Sequence, residues 1–96
     1  MLDDVEKKLL AEVGHRIREI RAAQGLNLEQ LARLTGISAP ALSLIETGKR
    51  DPRLTTLKRI ADALRAPLAT IIADGSHTAE PSAPAPSGGY DLGEYQ

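Results

Sequence analysis

Apolar positions along this chain recur at helical spacing and almost never alternate. Between residues 4 and 24, Leu10, Val13, Ile17 and Ile20 follow one another at three- and four-residue intervals, continuing to Ala23 or Gln24. That pattern places one apolar stripe on a helix. Asp3 or Asp4 suits the cap at its start, and Gly25 stands where a terminating glycine belongs. Gly14 interrupts the run. A glycine inside a helix costs about 1 kcal/mol relative to Ala, so the helix is expected to begin or bend near it.

The stretch NLEQLARLTG predicts a second, shorter helix. Asn27 is a good N-cap, Gln30 three residues on completes a capping-box pattern, and Gly36 closes the segment after Leu31, Ala32 and Leu34. A third helix follows Ser38, with Pro40 in its first turn, where the missing N–H costs little. Leu42 and Ile45 form its buried pair and Gly48 ends it. KRDPR reads as a loop, because the residue before a proline disfavours helix. Leu54, Leu57, Ile60, Ala61 and Leu64 then form an amphipathic stripe, Ala66-Pro67 breaks it, and LATIIA adds a short fifth helix. No strand-like alternation of useful length and no internal repeat is seen. The expected class is therefore all-α.

Beyond Asp74 the pattern stops. GSHTAEPSAPAPSGGYDLGEYQ is rich in Pro, Ser, Gly and Ala and almost devoid of large aliphatics, the composition of a disordered tail. The organisation expected is a helix-1 extension over residues 1–12, a domain over 13–74 and a tail over 75–96. The final YDLGEYQ is read either as an unstructured end or as a short acidic docking peptide.

Charge sharpens the picture. The net formal charge is −1, but its distribution is uneven. From Gly14 to Ala66, ten bases face five acids; residues 1–13 sum to −2, and residues 67–96 carry four acids and no base. A basic middle between acidic ends suits a polyanionic partner. There are no cysteines, which removes disulfides and thiolate chemistry and fits a reducing cytoplasm. No apolar run is long enough to span a bilayer, and MLDDVEKKLL lacks the basic start of a secretory signal. His15 and His77 have no neighbour suited to metal or acid–base work, and Ser43 has no His base at a recognisable position. Neither a cofactor nor an enzymatic activity is expected.

Two short helices joined by a glycine turn define a helix-turn-helix. Ala32 is small where the helices approach, Gly36 suits a left-handed turn, and Ile37, Leu42 and Ile45 can fix the second helix on the first. With these features in place, the stretches GHRIREIRAAQGLNLEQLA, TGIS, LSLIETGKRDPRL and TLKRIADALRAPL resemble the Cro/repressor-type, or xenobiotic-response-element, family of helix-turn-helix regulators. The resemblance runs from about Val13 to Ala73. It implies a lambda-repressor-like domain of five helices whose third helix enters the major groove of double-stranded DNA, as a homodimer on a palindromic operator.

Carried over residue by residue, the resemblance puts Ser38, Ala39, Pro40, Ser43 and Leu44 opposite bases. Thr47, Lys49, Arg50, Arg53 and the amide of Leu28 fall at phosphates. Arg21 on helix 1 is implied to pair with Glu46 at the end of helix 3. Leu64, Leu68, Ile71 and Ile72 offer an apolar dimer seam; their competing use is core packing within one subunit, and some of them are expected to serve both. One departure stands out. Bidentate readout of G needs Arg or Lys, and of A needs Asn or Gln; the third helix has none of these. The same face, with Leu28, Pro40 and Leu44, also suits an alternative, a protein-binding module such as an antitoxin or anti-repressor component. Phe and Trp are absent and both tyrosines lie in the tail, which argues against single-stranded nucleic acid as the target.

Overall fold

In the computed structural model, residues 3–73 are described. They form five helices and no strand: α1 (Asp4–Ala23), α2 (Leu28–Thr35), α3 (Ala39–Glu46), α4 (Leu54–Leu64) and α5 (Leu68–Ile72). The tail read for residues 75–96 lies outside the described residues.

Helix starts follow local chemistry. Asp3 caps α1 by accepting from the Glu6 amide at 2.8 Å, while Glu6 accepts from the Asp3 amide at 3.1 Å. Asn27 and Gln30 make the same reciprocal box at α2, at 2.7 and 2.8 Å. Ser38 caps α3 through the Ala41 amide, with Pro40 in the first turn. Three helices end alike. After α1, α3 and α4, paired backbone bonds of the Schellman type close the last turn, with Gly25, Gly48 and Arg65 in the left-handed position. Arg65, at φ 56°, is the one non-glycine residue with positive φ among those described.

Gly14 does not start α1, which begins at Asp4 and runs unbroken through it. It is there because α3 ends against it. A Cβ at this position would meet the Ile45 carbonyl and lie 2.5 Å from the Glu46 carbonyl oxygen. The helical cost of glycine is the condition for that close approach. Gly48 combines both demands, since its φ is +75° and a Cβ would sit 2.8 Å from the Ala11 Cα. The turn after α3 is thereby seated on α1.

The core lies where all five helices meet. Ile17, Leu31, Leu42, Ile60, Leu64 and Ile71 are fully buried, each worth about 1.5–3 kcal/mol relative to exposure. Side chains also tie distant elements: Gln24 Nε2 donates to the Leu64 carbonyl at 2.6 Å, and Arg16 to that of Ile71 at 3.5 Å. Some apolar positions differ from expectation. Leu34 and Leu54, assigned to apolar stripes, are 58% and 65% exposed. Each sits at the solvent edge of its helix, where no neighbouring element covers it.

Of the four residues offered for a dimer seam or for the core, the packing assigns two to the core. Leu64 and Ile71 have no exposed surface and are spent inside the subunit, where α4 and α5 pack on α1. Leu68 is half-buried against the same core. Of these four, only Ile72, at 40% exposure, keeps substantial free area.

Candidate nucleic-acid interface

The α2–turn–α3 unit is fixed from within. Thr35, one residue before the turn glycine, is buried. Its hydroxyl donates to the Leu31 carbonyl at 2.8 Å and accepts from the Ile37 amide at 3.1 Å. Gly36 takes the left-handed conformation, Ala32 and Ile37 pack against the core, and Leu42 and Ile45 are buried beneath α3. In the sequence the only sign of this role is local, a hydroxyl residue directly ahead of a turn glycine.

A second clamp orients the end of α3. Arg21 Nε donates to Glu46 Oε2 at 2.7 Å and Nη2 to Oε1 at 3.0 Å, a two-pronged pair. Nη1 donates to the Leu26 carbonyl at 2.8 Å, just ahead of α2. The side chains are 13% and 5% exposed, so solvent screens the pair little. The hydrogen bonds to Glu46 hold the Arg21 guanidinium above its ordinary value, against the lowering effect of its burial and with the added pull of the Glu46 charge. One guanidinium thus joins α1, the entry to α2 and the end of α3.

On this frame α3 turns one face outward. Pro40, Leu44 and Thr47 are exposed at positions four and three residues apart, which stacks them along one side of the helix. Ser38 is exposed at its start, and Ala39 and Ser43 are half-buried beside the ridge. Two hydroxyls are already engaged. Ser38 Oγ accepts from the Ala41 amide at 3.2 Å, leaving its proton to donate. Thr47 Oγ1 donates back to the Ser43 carbonyl at 2.9 Å, leaving its lone pairs to accept. Leu28 is half-buried against the core rather than free on the surface, so the apolar patch expected with Pro40 and Leu44 loses it. Its amide, in the first turn of α2, has no partner four residues back.

Lys49, Arg50 and Arg53 follow α3 directly, all exposed. None makes an ion pair among the described residues. Arg50 and Arg53 rim a shallow hollow of about 310 Å³ whose floor is Ile37, Ala41 and Ile45. The loop cations and α3 therefore meet at one place, as a polyanion surface requires. Among the described residues no group of three or more acidic, His or Cys side chains is arranged to hold a metal, and no helix is long and apolar enough to cross a membrane.

Comparison with known proteins agrees with this geometry. Residues 17–71 match a helix-turn-helix family. The chain is 38% identical over 69 residues to RghRB of Bacillus subtilis, named as an uncharacterized HTH-type transcriptional regulator, covering 71% of this chain and 50% of that protein. It is 42% identical over 55 residues to the HTH-type transcriptional repressor RghR of the same organism, covering 56% of this chain and 41% of the relative. The chain thus spans about half the length of these curated relatives or less. Among solved structures, the restriction-modification controller protein C.AhdI of Aeromonas hydrophila aligns with a TM-score of 0.63 at 34% identity, over 65% of this chain and 94% of that one. With the turn, the clamp and the outward α3 in place, the chain belongs to the helix-turn-helix family, of the Cro/repressor type that its sequence resembles.

Proposed function

We propose that this chain binds double-stranded DNA sequence-specifically, with α3 in the major groove, and acts as a transcriptional regulator of the repressor kind. The observation that carries the reading is the junction of an outward α3 ridge with three exposed loop cations that make no ion pair among the described residues. Its relatives named as regulators and repressors support the same role. Lys49, Arg50 and Arg53 supply phosphate contacts, joined by the Leu28 amide at a helix N-terminus. Ser38, Ala39, Pro40, Ser43 and Leu44 face the bases. No side chain there makes a two-pronged base contact, so sequence is chosen through thymine methyls, single hydroxyl contacts, water and DNA shape.

The active form is a homodimer on a palindromic site. With Leu64 and Ile71 spent in the core, the seam on α5 is left to Ile72 and the free part of Leu68. Selection from a random duplex library, read by fluorescence anisotropy at two salt concentrations, tests the reading. A palindromic consensus bound more weakly as salt rises is the expected result. A second reading rests on the apolar character of the same face, where Pro40 and Leu44 are exposed. Absence of duplex binding even at low salt would overturn the DNA reading in favour of a protein-binding module.

A further inference from the structure

The hollow beside α3 has a chemistry of its own. Its floor is aliphatic, from Ile37, Ala41 and Ile45, and its rim carries Arg50 and Arg53 with Asp51 between them. A DNA backbone would use the rim but leave the floor uncovered. A complementary occupant needs an apolar group for the floor and carboxylates for the two guanidinium groups. About 310 Å³ accommodates one aromatic ring.

This chain carries such a segment. Tyr90, Asp91, Leu92, Gly93 and Glu94 combine an aromatic ring with two acids, and residues 74–96 hold four acids and no base. The only two aromatic residues of the chain are Tyr90 and Tyr95. The described fold ends at Ala73, and the 17 residues from there to Tyr90 reach at most about 60 Å. The principal extents of the molecule are 41 × 30 × 22 Å. The hollow is therefore within reach of the segment on the same chain. Tethering raises the local concentration to about the millimolar range, so a weak contact suffices.

We infer that the Tyr90–Glu94 segment docks in the hollow between α3 and the Arg50–Arg53 loop of its own chain. The Tyr90 ring lies on the Ile37–Ala41 floor, and Asp91 and Glu94 meet Arg50 and Arg53. The same arginines are the phosphate contacts proposed above, so the docked segment competes with DNA. That competition rests on the proposed function; the docking does not.

Two measurements on the full chain separate these. The sequence has no cysteine, so Ser87→Cys gives a single spin-label site. The label should broaden the amide resonances of Ala41, Arg50, Arg53 and Thr56 selectively. The broadening should disappear with Asp91→Asn/Glu94→Gln, and in 1 M salt, where charges are screened beyond about 3 Å. Uniform broadening, or broadening centred on another face, overturns the docking. So does broadening passed from a labelled chain to an unlabelled one, which makes the occupant a second copy. In the second measurement, Asp91→Asn/Glu94→Gln should bind duplex DNA about threefold to tenfold more tightly at low salt. Selective broadening without duplex binding by either variant leaves docking standing and removes the DNA reading. Equal duplex affinities without broadening do the reverse.

Discussion

The Arg21–Glu46 pair shows how much one contact can carry in a domain this small. Both groups are largely out of water, so their value lies in being matched. Removing one partner from a buried pair typically costs about 3–5 kcal/mol, because the other charge is left stranded. Glu46→Ala should therefore lower the urea midpoint sharply. The double change Arg21→Met/Glu46→Leu should lose less than either single change, and a double-mutant cycle measures the difference. If the losses simply add, the pair is not coupled as its geometry implies. The raised pKa of Arg21 sets a pH sign as well: its contribution is complete below the ordinary guanidinium range and is lost only as pH rises through the still higher folded value. Between neutrality and about pH 11 the destabilisation by Arg21→Met should thus be flat. Gly14 makes an opposite point. Alanine there would improve helix propensity by about 1 kcal/mol, but its Cβ would press on the Ile45 and Glu46 carbonyls. The expected result is a net loss of about 1–3 kcal/mol on thermal unfolding.

At the scale of the element, α3 divides into an inner face that identifies the fold and an outer face that carries specificity. Leu44 and Arg53 separate the two kinds of contact under the proposed function. Arg53→Ala should weaken binding to all duplexes alike and reduce the salt slope by about 0.9 per subunit, about 1.8 for the dimer. Leu44→Ala should chiefly relax preference at one base step; equal weakening across sequences would mean that Leu44 does not read bases. What the sequence disclosed about these elements was what is local. The capping boxes of Asp3 and Asn27, the Ser38 cap and the terminal glycines involve neighbours within a few residues, so spacing alone reveals them. Periodicity also finds a stripe, but not how far the covering surface extends. Leu34 and Leu54 belong to good stripes and still face solvent. The tie made by Gln24 is not legible from spacing, because its partner, the Leu64 carbonyl, is 40 residues away. The five-residue α5 is too short for its pattern to say which face packs inward, so spacing leaves Leu64 and Ile71 open between seam and core; their burial decides for the core.

For the whole molecule, the net charge of −1 conceals a separation that should govern binding. The cations sit on the folded middle, and those nearest α3 are Lys49, Arg50 and Arg53. The other proposed backbone contacts, from Thr47 and the Leu28 amide, are uncharged and release no counterions. Each phosphate neutralised on duplex DNA contributes about 0.9 to the slope of log affinity against log salt. One subunit with three such contacts therefore gives a slope of about −3, and a twofold dimer with six gives about −5. Between 50 and 200 mM salt these correspond to losses of about 40-fold and about 2,000-fold. The slope thus counts subunits on DNA without a structure of the complex. Ile72→Glu supplies the complementary test, since Ile72 is the large apolar residue of α5 with substantial free surface while Ile71 beside it is buried and keeps the fold. If Ile72 forms the seam, the variant should retain its helical signal, sediment as a monomer and shift the slope from about −5 toward −3. A slope of about −5 that survives this substitution would place the dimer contact elsewhere on the surface.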